Sequence, residues 1–173
     1  MLNSKPSNSN YNQGNFIPKH KDKIVKLNNQ GGLYYRSGLE LKIMTWLDNN
    51  KNIVRWGAEC LRIPYQMTHF EKGDMKIKEH CYYPDFYYEI KSGKEIKYVV
   101  CEVKPMKEYK TVMALTEGRL EVPQNDAKKL RNFEYTLKMA HQNKNKWETM
   151  IKWCDLKGYQ FIIVTEEILN KLI

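Results

Sequence analysis

The sequence has no Cys-x-x-Cys pair, no apolar run approaching the length of a membrane span, and no internal repeat. Each absence closes off a class. The four cysteines, Cys60, Cys81, Cys101 and Cys154, are too dispersed for a zinc cluster, and His80 beside Cys81 does not supply the missing ligands. They read as buried, reduced thiols. Without a span of about 20 apolar residues there is no membrane helix. The Asn- and Ser-rich start lacks the pattern of a signal peptide, so the expectation is a soluble protein of the cytosol, or one packaged from it into a larger particle.

Negative charge is also short. Lys and Arg number 29 against 20 Asp and Glu, a net charge of +9, which suits a polyanionic partner. Residues 1–36 hold Lys5, Lys19, Lys21, Lys23, Lys26 and Arg36 against Asp22 alone. Residues 1–15 are polar and of low complexity, and 16–33 form an extended basic segment closed by a loop. The expected organisation is a flexible basic arm over 1–33 and one folded domain over 34–173.

What the chain does have is a legible order of elements. Ser37 and Glu40 form a capping box, followed by Leu39, Ile43 and Leu47 at helical spacing, and Asp48-Asn49-Asn50 stops that helix. Residues 53–65 read as one or two short strands, and 66–79 as a polar loop. The aromatic stretch 80–90 and the β-branched stretch 96–104 flank a Ser92-Gly93-Lys94 turn and read as an antiparallel hairpin, with Pro84 marking a strand start, bulge or bend. A loop is expected over 105–124. A long helix over roughly 125–156 carries Leu130, Phe133, Leu137, Ala140, Trp147, Ile151 and Cys154 as its stripe. A strand over 159–164 and a short helix over 165–173 follow. The order is α-β-β-β-α-β-α, an α/β fold with helices on a mixed sheet.

Side chains alternate faces along a strand, so Glu102 and Lys104 share one, and Asp85 shares one with Tyr83, Tyr87 and Glu89. Asp85 begins one strand of the hairpin and Glu102 ends the other, which is where antiparallel neighbours meet. Val99, Val100, Cys101 and Val103 make the surroundings of Glu102 apolar. Two carboxylates there repel unless a cation joins them. A divalent ion does so, and Mg²⁺ favours carboxylate oxygens with waters. Such a site can polarise a phosphodiester and activate water, with Lys104 orienting that water or steadying developing charge. Singly, each residue is more often ordinary: a turn aspartate, or an i,i+2 pair on a strand edge.

Tyr83-Pro84-Asp85-Phe86 with Cys101-Glu102-Val103-Lys104 resembles the PD-(D/E)xK nuclease signature, down to the sixteen residues between Asp85 and Glu102. The resemblance implies a restriction-endonuclease-like core, α-β-β-β-α-β, with a mixed central sheet flanked by helices. It implies metal binding by Asp85 and Glu102, and a helix glutamate completing the shell, carried here onto Glu40. The run Tyr35-Arg36-Ser37-Gly38-Leu39-Glu40-Leu41-Lys42-Ile43-Met44, with Ile63-Pro64-Tyr65, Glu102-Val103-Lys104-Pro105 and Phe16-Ile17-Pro18-Lys19, is similar to the head-completion nucleases of T-even-type tailed phages. That implies a Mg²⁺- or Mn²⁺-dependent nuclease on double-stranded DNA, with phage head or portal proteins as further partners, in the host cytoplasm or the virion. Gly38-Leu39 replaces a bulkier pair expected of that family. Two rivals stand beside this reading: a restriction, repair or transposon-end endonuclease on the same fold, and a non-catalytic head component that binds DNA ends or the portal. Arg36 is open to two roles, phosphate contact or pairing with a carboxylate. Lys107, Lys110, Lys128, Lys129 and Arg131 are either a solvated face or phosphate contacts.

Overall fold

A computed structural model describes residues 12–71, 74–124 and 126–172. Its centre is the expected hairpin. Gly93, at φ +64, takes the left-handed turn position that glycine accepts without penalty. On either side of it, β6 (Phe86–Ser92) and β7 (Glu95–Val103) pair in unbroken register from Ser92↔Glu95 to Phe86↔Cys101. β3 (Ile53–Ala58) adds antiparallel to β6, and β8 (Gln160–Val164) adds parallel to β7. The sheet order is β3-β6-β7-β8. A parallel neighbour needs a long crossover, and α2 (Met106–Thr116) with α3 (Ala127–Lys157) supply it. A short α4 (Glu166–Leu172) follows β8.

The strands of this sheet have two working faces. On one, Val99, Cys101 and Val103 of β7 join Trp56, Phe86 and Tyr88 in a core closed by Ile43, Met44 and Leu47 of α1 (Gly38–Asn49). On the other, Val100 meets Tyr82, Met150 and Cys154. The capping box at the start of α1 forms as expected: Glu40 N donates to Ser37 Oγ at 3.1 Å, and Arg36 N donates to Glu40 Oε2 at 2.9 Å.

The differences from the sequence reading have physical causes. Residues 1–11 lie outside the described residues, but 12–33 of the expected flexible arm are docked on the core. β1 (Gly14–Phe16) pairs with β2 (Leu33–Tyr35), and buried Asp48 accepts from Lys19 N and His20 N at 2.8 and 3.1 Å. Phe16, Ile24 and Leu27 supply apolar area that a view of this segment as only basic overlooks. The expected loop 66–79 belongs instead to a two-stranded ribbon, β4 (Ile63–Glu71) with β5 (Asp74–Tyr82), whose described outer residues are exposed on both faces and so lack a strand's buried alternation. The aromatic stretch 80–90 is therefore two strands, β5 and β6, bent apart at Pro84-Asp85, and Tyr83 is outside the hairpin.

The expected loop 105–124 contains α2, buried chiefly through Val112. The stripe of α3 runs through Ala140, Asn143, Trp147, Met150 and Cys154. Leu130 is exposed because the helix buries no residue before Ala140, and Ile151 is exposed because it lies off the stripe, next to Met150. Of the cysteines, all free, Cys101 and Cys154 are buried, Cys60 is half-buried and Cys81 is exposed.

Candidate active site

The pairing Phe86↔Cys101, continued one residue outward, sets Asp85 opposite Glu102 at the mouth of the hairpin. Strand alternation gives Glu102 the face of Val100, on the α3 side, and Asp85 sits beside it at the bend just before β6. Asp85 is anchored by its own neighbour strand: Val103 N donates to Asp85 Oδ2 at 2.6 Å. Glu102 is 4% exposed. Its Oε2 accepts from the Tyr82 hydroxyl at 2.6 Å, and its Oε1 lies 3.1 Å from Lys104 Nζ. Parallel pairing of β7 with β8 fixes the root of Lys104, whose N–H donates to Val164 O at 3.0 Å.

The electrostatics follow from that crowding. Burial, and then the charge of Glu102, push the Asp85 carboxyl well above the usual carboxylate range. Burial works against the Lys104 ammonium, but Glu102 and Asp85 outweigh it and raise its pKa. Burial and the Glu102 charge likewise raise Tyr82, which stays a hydroxyl donor. Thus a neutral donor and one ammonium hold Glu102, while Asp85 stands beside it in need of positive charge.

The expected residues divide into three groups. Asp85, Glu102 and Lys104 come together. Glu40 is close enough to raise the Asp85 pKa weakly, but its carboxylate is engaged in the capping box with Arg36 N and the Ser37 hydroxyl. Among the described residues, no three His, Cys, Asp or Glu side chains gather around one metal position. Arg36 pairs with a carboxylate, making a two-pronged contact with Glu59. Lys107, Lys110, Lys128, Lys129 and Arg131 are exposed on α2 and the projecting start of α3, where Lys110 reaches Glu167 at 4.0 Å and Lys129 reaches Asp126 at 3.6 Å.

Two further residues belong to the site. Tyr82 ends β5, and the break at Pro84 removes any parity that would link it to Asp85 in the sequence. Lys146 on α3 sits with its Nζ 5.5 Å from the centre of the Tyr82 ring. Its signal was available: it lies four residues before Met150 and three after Asn143, a lysine on the edge of a buried stripe.

These residues fall within a recognised sequence pattern. Residues 50–166 match the family described as TnsA-like endonuclease N terminal, which spans β3 to β8 and contains Tyr82, Asp85, Glu102, Lys104 and Lys146. The chain belongs to the TnsA-like endonuclease family. Glu40 and Arg36 precede the matched region. The chain is also similar to the head completion nuclease of Enterobacteria phage T4, at 29% identity over 159 residues, covering 92% of this chain and 94% of that protein. The mixed sheet flanked by helices is the restriction-endonuclease-like arrangement expected of such a family.

The donor set suits a hard divalent cation. Asp85 and Glu102 offer oxygen ligands, and their mutual repulsion in a buried place is what such a cation relieves. With two carboxylates, Mg²⁺ or Mn²⁺ would keep several waters.

Proposed function

We propose that this chain is a metal-dependent deoxyribonuclease that hydrolyses phosphodiester bonds of double-stranded DNA during phage head completion. The observation that carries the reading is the Asp85–Glu102–Lys104 cluster at the mouth of the hairpin, inside the endonuclease-family match. Asp85 and Glu102 would hold Mg²⁺ or Mn²⁺, which supplies Lewis acidity at the phosphate and acidifies bound water. Lys104, held charged by both carboxylates, orients the attacking water or steadies charge on the phosphate oxygens. Tyr82 fixes one oxygen of Glu102 and so leaves its orientation little freedom. Glu40 would join the metal shell through water, at the expense of part of its capping role. The likeness to the T4 protein over most of both chains favours head completion, with a head or portal partner, over the transposon-end alternative.

Incubation of the purified protein with linear and circular duplex DNA tests this directly. Cleavage with Mg²⁺ or Mn²⁺, abolished by EDTA and by Asp85→Asn, is the expected result. A folded protein that binds DNA ends but leaves every duplex intact with either metal would instead make it a non-catalytic head component.

A further inference from the structure

The Lys146 ammonium lies against Tyr82 but outside the Asp85–Glu102–Lys104 cluster. It reaches from α3 toward Glu102, Lys104 and Asp85, each of which acts on it electrostatically. Its stem is half-buried, yet among the described residues it has neither a hydrogen bond nor an ion pair within 4 Å. Its described contact is the face of Tyr82. By contrast, Lys104 is paired at 3.1 Å with Glu102. A partly desolvated ammonium with no anion is costly to keep. Burial accordingly draws its pKa down, and the charge of Lys104 adds to that, against the pull of Glu102 and Asp85. Lys146 as a residue is half-buried rather than sealed inside the protein.

We propose that Lys146 is a phosphate-gripping residue: it binds a non-bridging oxygen of the DNA backbone laid across the Asp85–Glu102 pair, from the helix side, while Lys104 works from the sheet. The inference rests on the nuclease reading of the same site and adds a substrate contact to it. Tyr82 then has two tasks. Its hydroxyl fixes Glu102, and its ring supports the Lys146 ammonium by cation–π attraction. A compact ammonium suits this place because it binds phosphate as a point charge.

The test is equilibrium binding of a short fluorescent duplex in EDTA, across a salt series, for the parent, Lys146→Met, Lys146→Gln and Lys146→Arg, with melting recorded for each. One lost phosphate contact should flatten the slope of log K against log salt by about 1 and weaken binding about tenfold near 0.1 M salt. Arginine should restore both. In Mg²⁺, Lys146→Met should raise KM more than it lowers kcat. An unchanged slope in a folded neutral variant would overturn the proposal. So would a failure of both neutral variants to fold while Lys146→Arg folds and binds with a changed slope, since Lys146 would then be a structural counter-ion. If the parent binds but never cuts, the nuclease reading fails separately, and the salt slope still decides Lys146.

Discussion

The two faces of β7 are almost equally buried and do opposite things. Cys101, 1% exposed, faces α1 among the apolar side chains of Trp56, Phe86, Met44 and Leu47. Glu102, 4% exposed, faces the other way, toward Tyr82, Lys104 and the Asp85 carboxyl. The two are consecutive in the chain. The first face gains from every apolar atom removed from water, at roughly 25 cal/mol per Å². The second gives up part of that gain to hold two carboxylates where they repel. Burial is thus no guide to purpose: the same strand stabilises with its odd residues and, on the proposed reading, reacts with its even ones.

That contrast is broken most severely by substitutions that exchange the faces' roles. Asp85→Asn, Glu102→Gln and Lys104→Met should each lower cleavage by about a thousandfold or more, equivalent to about 4 kcal/mol of barrier. Glu102→Gln and Lys104→Met should melt within a few degrees of the parent. On the α1 face, Trp56→Ala should cost about 3–5 kcal/mol of stability through the cavity it leaves. Any activity it loses should return under conditions that keep it folded. Paired measurements of denaturant unfolding and single-turnover cleavage check both. A cleavage defect in folded Trp56→Ala matching that of Lys104→Met would show that the faces are not separable.

A smaller effect sharpens the comparison through pH. In the unfolded chain Asp85 ionises near its ordinary value of about 4. In the folded, metal-free protein its pKa is raised, so above about pH 4 the unfolded state gives up this proton first. The contribution of Asp85 to stability is therefore greatest at low pH and declines as pH rises through the window up to its folded pKa. In EDTA at pH 8, Asp85→Asn should be more stable than the parent by about 1–3 kcal/mol, the range for an ill-satisfied buried polar group. At pH 4 the two should coincide. Saturating Mg²⁺ should raise the parent's melting temperature and leave that of the variant unchanged.

The legibility of the molecule follows the same division. The hairpin, its turn at Gly93 and the convergence of Asp85 with Glu102 are consequences of period-two geometry over a short span, and could be reasoned from spacing alone. The helix of residues 38–49 announced itself through Ser37 and Glu40. The ribbon of β4 and β5 did not, because it projects and no buried face imposes a pattern on its outer residues. α2 hid behind the same lack, with Val112 its single buried residue. Local rules set Lys146 on the edge of the buried stripe of α3 but could not set it beside Tyr82. Its approach to Tyr82 depends on how α3 crosses the sheet, a tertiary fact 64 residues away along the chain.

The least effect expected is at Glu40, and it tests where the active face ends. Glu40 serves the α1 side as a helix cap and faces the charges of the other side. Glu40→Ala removes the cap contact and should cost about 1 kcal/mol. Glu40→Gln retains the capping geometry, since glutamine serves in the same box, but removes the charge. If Glu40 joins the metal shell, Glu40→Gln should unfold like the parent yet need several-fold more Mg²⁺ for half-maximal cleavage. An unaltered Mg²⁺ requirement in both variants would assign Glu40 wholly to the helix and leave the metal to Asp85 and Glu102, the two carboxylates that strand geometry brings together.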